Sequence, residues 1–334
     1  MTDSERVLLE GVGPYEVMDA LFEGVRVILS YRGEPYSPAY IQGISGAAFR
    51  IGGICPCAPT CAAAMEPQDL VTLFGYEMTY IPLYDVENPV LSVEAGKAVE
   101  RIKDEIRAGR PALLWHAFTY AEWDVIAGFD EAAGKLLGRG SYAGLDGFAV
   151  ADQQRTTTCV DICPCIGAIL IGDKTGTFDA RAAELAALRE AVKHAHTVKP
   201  PEELAKHEWA MMDGLQCYDR WVSDFRDDPP KQPDMGDRYC FGVYRSTHRA
   251  AAGFLRELVE TYPQAAADLA AAAEHFITDA EMLNKSAEAL FPGWQLPSEP
   301  DLVANEQVAK WLQTGRDAYA AGIDGIESAL RTIG

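Results

Sequence analysis

The sequence predicts an α+β chain: a mixed half of helices and short strands to residue 178, then a helical half over 179–334. Two observations carry this. Up to residue 178, short apolar runs bounded by Gly, Asp and Pro alternate with stretches of helical periodicity. Beyond it, long alanine-rich segments of helical character follow one another. A chain of 334 residues is long enough for one large domain or two smaller ones with real cores.

Pro14 in GVGPYEV suits a first helical turn, and Val17, Leu21, Val25, Ile28 and Leu29 recur at helical spacing up to Gly33, a glycine C-cap. SPAYIQG (37–43) reads as a short helix capped by Ser37. A helix follows Pro67, and YEMTYIPLY reads as a strand. Residues 92–109 form a helix with Val93, Val99, Ile102 and Ile106 on one face and Gly109 at its end. RPALLWHAF and EWDVIAGFD are strands, FDEAAGK is a hairpin turn into KLLGRGSY, and IGAILIGDK is a further strand. In the second half, ARAAELAALREAVKHAH, PEELAKHEWAMMDGLQCYDRWVSDF, HRAAAGFLRELVETY, AAADLAAAAEHFITDAEMLNKSAEALF and NEQVAKWLQTGRDAYAAGIDGIESAL read as helices. RDDPPKQPDMGD (226–237) is a loop among them, and the alanine-rich faces suit a second copy of the chain.

A net charge of −21 argues against nucleic acid and anionic membranes as partners, since both call for basic patches. No apolar run is long enough to span a bilayer. The start MTDSERVLLEGVG has neither the basic nor the apolar region of a signal peptide, so the expected location is the cytoplasm. Thiols there stay reduced, and clustered cysteines more often bind metal or catalyse.

Six of the eight cysteines fall in two clusters. ICPCAPTC holds Cys55, Cys57 and Cys61 as C-x-C-x3-C, and CVDICPC holds Cys159, Cys163 and Cys165 as C-x3-C-x-C, its mirror. In an extended segment, residues two apart face the same way, so C-P-C offers two thiolates side by side with proline stiffening the backbone between them. Two such claws offer up to six thiolates. A [4Fe–4S] cluster takes four, or three with one iron open, and tetrahedral zinc takes four. The spacing departs from the C-x2-C pairs of structural zinc, and no histidine adjoins either cluster, which favours iron–sulfur over zinc. Disulfides between the clusters, or a nucleophilic Cys55 with His116 as its base, are the alternatives. Cys217 and Cys240 stand alone and read as small buried hydrophobes. His194 and His196, two apart on a helix, point to different faces, and Arg50 reads as readily as an ion-pair partner as a cleft residue.

GISGAAFR, RPALLWHAFTYAEWDVIAGFDE, GRGSY and GLQCYDRW, in that order, resemble a bacterial family: the butirosin-biosynthesis-protein-H-like group, related to the double-glycine-leader cysteine peptidases. The resemblance implies a papain-like fold for the first half. It also implies a nucleophilic Cys at the start of the first long helix and a His opening the strand EWDVIAGFD. Those positions fall on Asp19 and Glu122 here, with Asp130 at the orienting position, so the dyad is lost. The resulting expectation is a small-molecule lyase or hydrolase. A thiolate-held metal replaces the cysteine chemistry, and His116, Glu122 and Asp19 serve as acid–base groups. A cysteine acyltransferase or amide hydrolase, and a non-catalytic metal-storage module, are the competing readings.

Overall fold

A computed structural model describes residues 5–53, 65, 67–83, 94–158, 167–205, 212–299 and 301–334. The chain divides into two compact units, one of Met1–Pro38 with Glu66–Asp179 and one of Ala39–Met65 with Ala180–Gly334. The segment after Pro38, which the sequence reading keeps with the α+β half, belongs to the helical unit. Among the described residues no helix is long and apolar enough to cross a membrane.

The first unit is built on an antiparallel sheet. Its strands are β1 (Arg6–Leu8), β3 (Tyr76–Pro82), β4 (Ala112–Trp115), β5 (Trp123–Asp130), β6 (Lys135–Arg139), β7 (Ala149–Asp152) and β8 (Gly167–Lys174), while β2 (Gly52–Gly53) lies in the other unit. The order is β3-β8-β4-β5-β6-β7, and β1 pairs with the far end of β5, where β4 has run out. Strands β4 and β5 read as continuous apolar runs because they are buried almost throughout. The FDEAAGK hairpin forms as expected, with Asp130 opposite Lys135. Strands β1 and β7 are short and half exposed, too brief to leave a period in the sequence.

Helix α1 (Ala20–Tyr31) lies against β4 and β5, and Ala20 to Leu29 are all buried, so it is apolar nearly all round. It starts six residues later than the proline suggests. Asp19 is its N-cap, with one carboxylate oxygen accepting from the Phe22 amide at 2.7 Å, and a side chain that satisfies a free amide outweighs a proline's preset φ. Gly33, at φ +85°, closes the helix as expected. Helices α2 (Pro38–Ile44), α3 (Pro67–Leu73) and α4 (Glu94–Arg107) follow the sequence pattern. Lys103 on α4 is buried but paired, to Glu100 at 2.8 Å and Glu131 at 2.9 Å.

The second unit is a helical assembly: α5 (Ala180–Ala195), α6 (Pro201–Leu204), α7 (Gly214–Arg226), α8 (Met235–Thr261), α9 (Ala266–Leu290) and α10 (Leu302–Ile333). The sequence reading makes PEELAKHEWAMMDGLQCYDRWVSDF one helix, and the structure breaks it. Met212–Asp213 (β9) instead pairs antiparallel with Gly52–Gly53 (β2), and Gly214 turns the chain at φ +53°, where a Cβ would strike the carbonyls of His194 and Ala195. A local sheet contact overrides helix propensity there. Helix α9 packs on both α8 and α10, with Gly322 against Phe276 where a larger residue would hold the helices apart. Asp234 and Asp237 form a reciprocal capping box that starts α8.

Gly138 on β6 faces the Val125 carbonyl and the Phe118 ring, both of which a Cβ would overlap. Gly138→Ala therefore costs about 2–3 kcal/mol of stability, as for an overpacked core position. The exposed Gly96→Ala on α4, with open space around it, gains about 0.5–1 kcal/mol. Chemical denaturation of both variants checks the pair, and equal midpoints would contradict the β5–β6 packing described here.

Candidate functional site

The β4–β5 turn is the most constrained irregular backbone in the first unit. His116 and Ala121, neither a glycine, hold φ of 57° and 55°. Such residues cost about 1–2 kcal/mol each, and they persist only where the surroundings over-determine them. They do so here because hydrogen bonds hold the turn along its length. The His116 amide closes the turn on the Glu122 carbonyl at 2.7 Å. The Ala121 amide donates to His116 Nδ1 at 2.9 Å. The amides of Phe118 (2.6 Å) and Thr119 (3.0 Å) and the Thr119 hydroxyl (2.7 Å) all donate to the buried Asp124 carboxylate. Arg155 donates to the Phe118 and Thr119 carbonyls, and the Tyr120 amide donates to the Tyr142 hydroxyl. Burial pushes the Asp124 carboxyl up to about 6, and the turn's donors hold it from going higher.

Four carboxyl groups from two elements surround Tyr15. Burial first, then the charges of Asp124, Glu23, Glu122 and Asp19, hold its phenol well above the ordinary range, and its hydroxyl donates to the Trp123 carbonyl at 3.1 Å. Glu23 is fully buried on α1. One of its oxygens accepts from Arg26 and from the Glu16 amide, while the other, Oε2, is buried without a hydrogen-bond partner. Burial outweighs Arg26 and pushes Glu23 up to about 7.

Among the residues expected to do acid–base work, His116 is buried at the mouth of the turn, and its Nδ1 accepts a proton bond, which leaves the ring proton on Nε2. Glu122 is buried just before β5, and the Ser141 hydroxyl donates to it from the half-buried GRGSY loop. Arg139 fixes that loop through the Gly147 carbonyl at 2.6 Å. Asp19 is the helix cap. Asp130 sits at the opposite end of β5, roughly 25 Å along the strand, where it pairs with Arg6 and caps the hairpin through the Ala133 amide. The sequence reading passes over Asp124, Tyr15 and Ser141. A charge inside the otherwise apolar WDVIAGF is the one signal that pointed to Asp124.

The two cysteine clusters, Cys55, Cys57, Cys61, Cys159, Cys163 and Cys165, lie outside the described residues. Among the described residues no group of three or more His, Cys, Asp or Glu side chains is placed to hold a metal ion. Cys217 and Cys240 are both buried and outside any disulfide, and burial, then Cys240, pushes the Cys217 thiol far up, which suits a packing role. His194 and His196 face different ways as expected: His194 Nε2 takes the Ile51 amide at 3.1 Å, while His196 is exposed. Burial, then Arg50, drives His194 down to about 4, so it is neutral at pH 7. Arg50 lies 3.9 Å from Asp213, which Lys199 meets at 2.7 Å.

Residues 49–52 of the second unit, leading into β2, are held by side chains at each step. The Tyr319 hydroxyl donates to the Phe49 carbonyl at 2.8 Å, and His248 Nε2 meets the Arg50 carbonyl at 2.8 Å. The Ile51 carbonyl takes the Gly214 amide at 2.9 Å. The Tyr244 hydroxyl takes the Gly52 amide at 3.1 Å and donates to the Gly52 carbonyl at 2.9 Å. Asp279, itself fully buried, holds His248 Nδ1 and the Tyr218 hydroxyl.

No protein-family model matches the chain, and no curated protein matches it.

Glu23 and Asp124 bind protons more tightly folded than unfolded, so each contributes most below its ordinary carboxyl range. That contribution is lost as pH rises to about 7 for Glu23 and about 6 for Asp124. Glu23→Gln removes one of these titrations. The stability difference between wild type and Glu23→Gln therefore shifts in the variant's favour by roughly 3 kcal/mol between pH 4 and pH 8. Denaturant midpoints across that range check it, and parallel profiles would show that Glu23 ionises freely.

Proposed function

We propose that this chain is a cytoplasmic metalloprotein. Its cluster thiolates hold an iron–sulfur centre in preference to zinc, and it acts on a small molecule by lyase or hydrolase chemistry. The observation that carries the reading is the mirrored spacing of C-x-C-x3-C and C-x3-C-x-C, each with a proline-stiffened C-P-C bite. An iron with an open coordination position polarises an oxygen or sulfur group of a substrate.

The scaffold we propose is papain-like without its dyad. Support comes from the first unit. Helix α1 begins at a capping Asp19 and lies against β5, which begins just after Glu122, and this pairing of a helix start with a strand start supports reading the two buried carboxyl groups as replacements for that scaffold's Cys and His. Neither carboxyl is a thiol nucleophile, and burial holds the Cys217 thiol far from the thiolate that a nucleophile needs. His116 offers a proton from Nε2, and Glu122, with the Ser141 hydroxyl on it, offers a base. Asp19, spent on the helix cap, contributes charge to the site.

Protein purified without oxygen is expected to carry iron with acid-labile sulfide, or zinc, at about one centre per chain. Cys55→Ala and Cys163→Ala are each expected to lose that metal and to unfold at lower denaturant. Elemental analysis and denaturation of the three proteins read this out. Metal-free wild type would overturn the proposal. Loss of activity from a single Cys→Ala with metal content unchanged would point instead to a cysteine acyltransferase or amide hydrolase. Several ions per chain would point to storage.

A further inference from the structure

The Lys231 amide donates to the Asp224 carbonyl at 2.7 Å, which folds the loop after α7 back onto the last turn of that helix. Between them lies a cavity of about 180 Å³. Cys217, Arg220, Trp221 and Asp224 line it from α7, because residues three and four apart share a helix face. Lys231 and Asp234 line it from the loop. All six belong to the helical unit. The cavity admits a small metabolite but not a drug-sized ligand, whose pocket takes about 300–1,000 Å³.

The loop side of this cavity is already paired. Lys231 Nζ meets Asp237 at 2.8 Å and Asp234 at 3.2 Å, Asp234 caps α8, and Asn305 holds the Lys231 carbonyl at 3.3 Å. The helix side keeps groups to spare. Arg220 Nε donates to one Asp224 oxygen. The two terminal nitrogens of Arg220, the second Asp224 oxygen and the Trp221 indole nitrogen have no hydrogen-bond partner among the described residues. Trp221 is only 3% exposed, and its ring is held against Phe241 and Tyr218 at 4.7 and 5.9 Å between ring centres. An indole N–H buried beside a cavity without a partner has lost its water uncompensated, and that marks a place for a ligand's acceptor. A guanidinium edge with an indole N–H matches a carboxylate, and the spare Asp224 oxygen one turn away matches an ammonium group. Arg220 and Lys231 balance Asp224 and Asp234 in the lining, so a ligand carrying one charge of each sign leaves the cavity neutral.

We infer that this cavity binds a free α-amino acid with an apolar side chain. The ligand's carboxylate sits on Arg220 and the Trp221 N–H, its ammonium group on Asp224, and its side chain against Trp221 and Cys217. The site lies wholly in α7 and the loop after it, and it stands or falls apart from the metal reading.

Calorimetric titration of the full chain with L-leucine, L-methionine and L-phenylalanine tests it. Saturable one-to-one binding is expected for at least one of the three at concentrations up to about 10 mM. The amide of that amino acid, and the acid lacking its amino group, are each expected to bind at least about tenfold more weakly, since each loses a hydrogen bond between charged groups. Arg220→Gln and Asp224→Asn are expected to weaken the amino acid to the same degree. The Arg220 side chain is half exposed, so breaking its ion pair costs the fold little. Arg316→Gln breaks another ion pair of α7, to Asp219 at 2.9 Å, and is expected to change affinity by at most about twofold. No saturable binding of any of the three amino acids overturns the site. So does equal binding of the amide or the acid, unchanged affinity in either Arg220→Gln or Asp224→Asn, or an equal loss in Arg316→Gln.

Discussion

A buried backbone amide or carbonyl must be paired, and in both units side chains do the pairing where helices and strands stop. Beneath the β4–β5 turn one carboxylate, Asp124, collects the donors of Phe118 and Thr119 and so keeps His116 and Ala121 at positive φ. Along residues 49–52 the task falls to Tyr319, His248 and Tyr244. Without these partners neither segment has a reason to keep its path. The stability of the irregular backbone thus rests on a few buried polar groups, each costly alone and sound only as part of a complete set.

The same requirement shapes the electrostatics. Asp124 and Glu23 are buried for structural reasons, and burial moves both toward neutral pH. Tyr15 sits among them with its proton held fast. A region of buried carboxyl groups with raised proton affinity beside a strained turn is the usual setting of acid–base chemistry, and it is equally what a helix cap and a turn anchor produce. The groups divide along that line. Asp19 and Asp124 are committed to backbone amides, whereas Glu122 takes a side-chain hydroxyl, that of Ser141.

Much of the fold was legible in the sequence, because helices α1, α4, α5, α9 and α10, the part of α8 from His248 on, and strands β3 to β6 and β8 have periods long enough to read, whereas α8 in fact starts at Met235, inside the stretch read as a loop. The misses are local. Asp19 capped a helix that Pro14 invited to start earlier, and Met212–Asp213 joined β2 in the middle of what propensity makes a helix. Both are cases where one hydrogen-bonding opportunity, invisible to periodicity, outweighs a run of residue preferences. The site was half legible. His116 and Glu122 stood out as polar groups at strand ends. Asp124 and Ser141 did not, because the turn and loop that bring them to Phe118, Thr119 and Glu122 leave no period, and Tyr244 and His248 did not, because their partners lie far along the chain: the Gly52 carbonyl for Tyr244, the Arg50 carbonyl for His248. No spacing rule links residues nearly two hundred positions apart.

X-ray absorption at the metal edge of protein prepared without oxygen tests the central claim most directly, because it reads the atoms bound to the metal. Thiolate ligation predicts a first shell of sulfur at about 2.3 Å, with an iron–iron distance added if the centre is a cluster. A first shell of nitrogen and oxygen at about 2.0–2.1 Å, or no metal edge at all, would contradict it.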